Sequence, residues 1–102
     1  MCRICGFRDF HENISYELKA VSEKMRDTMT HGGPDDAGAY YCAAAGVALG
    51  HRRLSIIDLS PLGHQPMTDG NYSIVFNGEI YNYAETKDEL VIQGHKFASS
   101  SD

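Results

Sequence analysis

The sequence predicts an α+β fold, and three observations carry the prediction: short runs that alternate every second residue, one amino-terminal segment with helical periodicity, and glycine- or proline-bearing breaks between them. Residues 1–8 alternate around Ile4 and Phe7 and read as a first strand. Ile14, Leu18, Val21, Met25 and Met29 then recur every three or four positions, which places them on one face of a helix over 14–30. Asn13 is its expected N-cap. Gly32-Gly33-Pro34 is the expected stop, because glycine tolerates a left-handed cap and proline cannot continue a helix. A loop is expected at 35–38.

Residues 39–57 are rich in Tyr, Val, Leu and Ile, with glycines at 46 and 50, and predict two or three antiparallel strands joined by tight turns. Residues 58–70 hold two prolines and two glycines and read as a long surface loop. A strand at 72–76 meets Asn77-Gly78, a strong hairpin signal, and a returning strand is expected at 79–81. Asn82 and Glu85 fit a capping box, which predicts a second helix running to Gly94 with Leu90 and Val91 on its apolar side. Residues 95–98 read as the start of another strand, after which the sequence stops without a closing element, as if cut short. No repeat and no linker is visible.

Composition narrows the function classes. The 102 residues, 42% of them hydrophobic, suit one globular domain. A net charge of −5 argues against nucleic acid as a partner, and the cluster His51-Arg52-Arg53 is too small to track a phosphate backbone. The longest uncharged stretch, residues 37–50, is shorter than the roughly 20 residues of a membrane span. Charges at Arg3, Arg8, Asp9 and Glu12 break up any signal peptide, so a cytoplasmic protein without a membrane partner is expected. Three cysteines, an odd number, suit a reducing compartment better than a disulfide scaffold.

Four segments, in order, resemble the amino-terminal glutaminase domain of glutamine-hydrolysing asparagine synthetases: MCRICGF at 1–7, HGGPDDAG at 31–38, LGHRRLSIIDLSPLGHQPM at 49–67 and IVFNGEIYNY at 74–83. The resemblance is to the class II glutamine amidotransferases. It implies an N-terminal-nucleophile hydrolase fold, stacked antiparallel sheets flanked by helices, incomplete in this chain. Residues 1–102 would then be the amino-terminal part of that domain, with the ATP-dependent synthetase domain absent.

The same resemblance implies roles. Cys2, exposed by removal of Met1, would be the nucleophile, and its free α-amine, with a reference pKa of roughly 7.7–8.0, the base. Asn77 and Gly78 would form the oxyanion hole, the asparagine through its side-chain amide and the glycine through its N–H. Arg53 would clamp the α-carboxylate of L-glutamine through the fork of its guanidinium, while Arg52, on the opposite strand face, would be solvated. Glu79 and Asp102 would accept the ligand's α-ammonium. Ile56 would contact glutamine through its backbone, its side chain lying in the core. For His31, His51 and His64 structural hydrogen bonding is expected. The resemblance further implies that ammonia passes to a synthetase domain using ATP and Mg to make asparagine from aspartate, with a homodimer allowed at full length. No cofactor is expected for the chain itself.

The sequence departs from this pattern at two places. Gly32 replaces an arginine of an H-R-G-P-D segment, and Cys5 creates a Cys2-Arg3-Ile4-Cys5 pattern. In a strand those two cysteines would be about 10 Å apart on opposite faces, too far for a disulfide, and no second ligand pair supports zinc. Alternative readings are a non-enzymatic remnant or interaction module of the same fold, a paralogue that aminates another acceptor and, last, a Cys-x-x-Cys metal or redox module. A sheet lacking strands would bury a marginal core, so the isolated chain is expected to be poorly stable and weakly active.

Overall fold

A computed structural model describes residues 1–11, 17–56 and 58–100, and its central element is a strand with polar residues buried at one end. This strand, β3 (Val47–Arg53), lies between β1 (Arg3–Arg8) and β2 (Asp36–Cys42) and pairs antiparallel with both. Its register sets Arg3 opposite Arg52 on one side and Asp36 opposite Arg53 on the other. The turn from β2 to β3 is a 3-10 turn at Ala43–Ala45 closed by Gly46, whose φ of 65° is a conformation that glycine adopts without steric cost. Gly50, expected at a second turn, instead sits mid-strand in β3.

The reason lies in what covers that face. Helix α1 (Leu18–Asp27) packs across the sheet, and a Cβ at Gly50 would stand 2.8 Å from the Cys5 sulfur and 3.2 Å from the Arg26 Cβ. The missing side chain therefore lets the helix approach. Leu18 and Ser22 are the fully buried residues of α1, one turn apart, and the Ser22 hydroxyl donates to the Lys19 carbonyl at 3.0 Å. The expected start of this helix, including Asn13 and Ile14, lies outside the described residues. Its end comes earlier than expected. Thr28 and Thr30 hydroxyls donate to the carbonyls of Met25 and Asp27, each at 2.7 Å, and a separate 3-10 turn takes Thr30–Gly32. Side chains thus satisfy the helix-end carbonyls before the Gly-Gly-Pro run is reached. Gly33 serves close packing instead, because a Cβ there would collide with the Arg52 backbone. The expected loop at 35–38 belongs mostly to β2.

The predicted long loop contains structure of its own. A 3-10 turn occupies Pro61–Gly63, and β4 (Met67–Asp69) pairs antiparallel with β5 (Tyr72–Ile74). Thr68 and Ser73 hydroxyls meet across this pair at 3.1 Å, and Gly70, at φ 56°, opens its two-residue turn. The hairpin therefore lies at Gly70-Asn71 and not at Asn77-Gly78. A type I′ turn needs positive φ at both central residues, and among the described residues only Gly46, Gly70 and Gly94 have it. Past Ile74 the chain leaves the ladder, the Phe76 N–H is taken by the Gln65 side chain at 2.6 Å, and no strand forms at 79–81.

The chain divides into two compact units, Met1–Ser55 with His64–Asn77, and Ile56–Gly63 with Gly78–Asp102. In the second unit, α2 (Tyr83–Ile92) starts at Asn82 as expected, although the Asn82 side chain makes no capping bond. Its end is a Schellman stop: His95 N–H bonds the Leu90 carbonyl and Gly94 N–H the Val91 carbonyl, both at 3.0 Å, with Gly94 at φ 94°. Residues 95–98 form no strand, because the segment turns back on α2, where Lys87 Nζ lies 5.2 Å from the Phe97 ring and the Tyr83 hydroxyl donates to the Ser100 carbonyl. Among the described residues Leu18 and Ala48 are the buried hydrophobic side chains, so the core is small. No described helix is long and apolar enough to cross a membrane.

Candidate active site

Alternation along β1 and β3 sorts the site residues. Cys5 and Phe7 share the face under α1 with Ala48, Gly50 and Arg52, while Cys2, Ile4, His51 and Arg53 belong to the other. Cys2 and Cys5 therefore stand on opposite faces, and both are free thiols. Cys5 has its thiol pushed up by burial, against the nearby Arg26.

One residue outside β1, Cys2 lies next in register after the Arg3–Arg52 pair, which sets it beside Arg53. Its sulfur accepts the Leu54 N–H at 3.4 Å and donates to the Leu54 carbonyl at 3.6 Å. Met1 is 73% exposed, leaving the bond before Cys2 open to a processing enzyme. The Arg3 guanidinium folds back on the Met1 and Cys2 carbonyls, at 3.0 and 3.1 Å. It also fills the space above Gly32, where a Cβ would meet Arg3 Nε at 2.7 Å. The position that lacks an arginine in this sequence is thus covered by one from β1.

Arg53 is buried, and Asp36 faces it across β2 and β3. Burial opposes ionisation of Asp36, but His64, the Ala37 N–H and the Arg53 charge together hold its carboxyl below the usual range. His64 Nδ1 lies 2.6 Å from Asp36 Oδ2. Arg52, expected to be solvated, is not: its Nε donates to the Gly33 carbonyl at 2.8 Å and its guanidinium reaches Asp27 at 3.6 Å. Alternation placed it on the opposite face from Arg53, and α1 covers that face.

The residues around Arg53 tie the four matched segments together. Asp35 N–H bonds the Arg53 carbonyl at 3.0 Å while its carboxylate accepts the Ser55 N–H at 2.8 Å. Gly38 lies under the chain at His64-Gln65, for a Cβ there would overlap the Gln65 carbonyl. Gln65 in turn holds Phe76, the residue before Asn77. Asn77, half-buried, thus belongs to the same compact unit as Cys2 and Arg53.

Gly78, Glu79 and Ile56 belong to the second unit, where all three are exposed; Ile56 is 71% exposed, so its side chain is not core as expected. Asp102 lies outside the described residues. Of the histidines, His64 makes a structural hydrogen bond as expected, and His51 meets the Phe76 backbone; His51 is 1% exposed, and its Nε2 has no hydrogen-bond partner among the described residues. Burial pushes His51 below the ordinary histidine value, with nearby His64 and Arg53 acting the same way and Asp36 and the Phe76 backbone opposing them. Asp36 was not singled out from sequence. The second aspartate of Pro34-Asp35-Asp36, entering a strand opposite Arg53, was the available signal.

Compared with known families, the whole chain, residues 1–102, matches the glutamine amidotransferase domain. The chain belongs to that family. It is 37% identical over its full length to asparagine synthetase [glutamine-hydrolyzing] 3 of Bacillus subtilis, spanning 17% of that protein. It is 44% identical, again over its full length, to asparagine synthetase [glutamine-hydrolyzing] 1 of the same organism, spanning 16% of it. A Gibberella zeae protein named amidase chry2 is 43% identical over 87% of the chain and 14% of its own length. The glutamine amidotransferase domain described above thus corresponds to a small part of each of these relatives, and no solved structure matches it. Its α+β architecture of antiparallel sheets and helices is compatible with an N-terminal-nucleophile domain.

Proposed function

We propose that this amidotransferase domain hydrolyses the side-chain amide of glutamine through Cys2, freed at its α-amine by loss of Met1. The observation that carries the reading is the placement of the Cys2 sulfur, 3.4 Å from the Leu54 N–H and beside the buried Arg53 on one sheet face. The α-amine takes the thiol proton as the sulfur attacks the amide carbon, and returns it to the departing nitrogen as ammonia leaves. Water then attacks the γ-glutamyl thioester, releasing glutamate and restoring the thiol. Asn77 and Gly78 act as oxyanion donors, Arg53 binds the α-carboxylate, Glu79 and Asp102 accept the α-ammonium, and the Ile56 backbone completes the contacts.

The acceptor of the ammonia is a separate assignment. Similarity to proteins named asparagine synthetase supports asparagine as the product, with aspartate as acceptor. The reading extends to a synthetase region that uses ATP and Mg, in a cytoplasmic protein that dimerises at full length. The alternative is a paralogue that aminates a different acceptor. Both share the glutaminase step.

That step is tested by treating the intact gene product with a glutamine-analogue diazoketone and mapping the adduct by mass spectrometry. Attachment at Cys2, with Met1 absent, is the expected result. A protein that has lost Met1 and still takes no label, and releases no glutamate from glutamine, refutes the reading in favour of a non-enzymatic remnant.

A further inference from the structure

The geometry points to His51 as a positioning residue of the glutaminase site, one that sets the Phe76-Asn77 backbone and through it the oxyanion donor. The inference rests on the glutaminase reading and adds to it a residue that does not touch the substrate.

His51 lies two pairs inward from the Cys2, Arg53 and Asp36 row, the next residue on the same face, opposite Ile4 on β1 and Gly38 on β2. It is 1% exposed, yet its Nε2 has no hydrogen-bond partner among the described residues. A buried polar atom left unpaired costs stability, and a side chain chosen for the core alone would be apolar here. Something other than packing therefore accounts for an imidazole. The groups that face it are Asp36 from β2, Arg53 from its own strand, His64 from the segment that crosses Gly38, and the backbone of Phe76. Gln65, next to His64, fixes Phe76 from one side by accepting its N–H at 2.6 Å. From the sheet side, the His51 ring meets the Phe76 backbone in a hydrogen-bond contact. Asn77 is the next residue, so its direction depends on how these two supports hold Phe76. An oxyanion donor contributes only when placed to within a fraction of an ångström of the developing charge. Misplacing it lowers kcat and leaves binding of glutamine nearly unchanged.

The test compares His51→Phe and His51→Gln with wild type in the intact gene product, measuring glutamate release and thermal midpoint together. For His51→Phe the expected result is a roughly ten- to hundredfold fall in kcat with KM changed by less than about threefold. Its thermal midpoint should change little, since removing the unpaired Nε2 offsets losing the contact to Phe76. His51→Gln, which keeps a polar group able to reach Phe76, should recover most of the rate. Wild-type kcat in His51→Phe, or a lowered midpoint with kcat intact, overturns the inference and leaves the glutaminase reading standing. A wild-type protein that neither turns over glutamine nor takes label at Cys2 refutes the glutaminase reading itself. Should neither variant fold, nitrogen-15 spectra of wild-type histidines decide: the His51 ring resonances move when the diazoketone labels Cys2 if His51 supports the site, and stay in place if it does not.

Discussion

Cys2 and Leu54 exchange two hydrogen bonds, the sulfur accepting the Leu54 N–H at 3.4 Å and donating to its carbonyl at 3.6 Å. The proposed nucleophile is thereby held by backbone, at the residue that follows Arg53. A serine at this position can keep both contacts but offers a far weaker nucleophile. Cys2→Ser should reduce glutamate release at least about 10³-fold and Cys2→Ala should remove it. Because Cys2 is half-buried, both variants should stay within about 1 kcal/mol of wild-type stability in denaturant titration.

Arg53 offers a second separable effect. Its guanidinium is buried and faces Asp36, so a lysine would keep the charge near that carboxylate but lose the planar fork proposed to grip a second one. Charge-assisted hydrogen bonds contribute about 1.5–3 kcal/mol each, so Arg53→Lys should raise KM for glutamine roughly ten- to hundredfold. On the proposed role this contact would be made equally before and during reaction, so kcat should change little. Steady-state kinetics distinguish this from a folding defect, which would lower the active fraction and leave KM alone.

Local signals and long-range contacts explain what the sequence disclosed. The strand at 1–8, the strand pair around Gly46 and the Asn82 start of α2 depend on near neighbours, and each is legible in alternation or capping residues. The hairpin is not, because Asn77-Gly78 and Gly70-Asn71 are both acceptable turns by composition, and pairing partners decide between them. Gly50 misled for a related reason: glycine marks a turn or a close approach, and only α1 packed on β3 reveals which. Arg52 illustrates the limit of alternation, which separates two faces of a strand without saying that both are covered. The site was legible as a list of residues through resemblance. The Asp36-His64 pair and the buried His51 were not, since they arise where β2, β3 and the segment at 64–65 meet.

Gly38 should be intolerant of any side chain. A Cβ there would overlap the Gln65 carbonyl, and that oxygen belongs to backbone, so no rotamer change relieves the clash. Overpacking of this kind costs about 1–3 kcal/mol. Gly38→Ala should therefore lower stability by at least that amount in urea titration. It should also lower glutaminase activity in the folded fraction, because His64-Gln65 must lift away from β2 and Gln65 holds Phe76. Gly70→Ala makes a useful comparison: open space surrounds that position, and only the positive φ opposes the change, at a cost of roughly 1–2 kcal/mol and without effect on kcat.

Acid should destabilise the first unit in two stages, and the sign follows from the direction of each shift. His51 has its folded value depressed, by burial first, below the ordinary 6.5. Below that pH the unfolded chain binds a proton that the folded chain refuses, so stability falls as pH drops from about 6.5. Asp36 has its folded value held below 3.8 despite burial, chiefly by the His64 hydrogen bond. Its contribution is fully present above 3.8 and is lost as pH falls through the lower, folded value. Urea midpoints measured between about pH 7.5 and 3 should show the earlier decline in wild type and not in His51→Phe, where the titrating ring is gone. The later decline should persist in His51→Phe and weaken in Asp36→Asn. An early decline of equal size in His51→Phe would place the responsible proton elsewhere than on the buried ring.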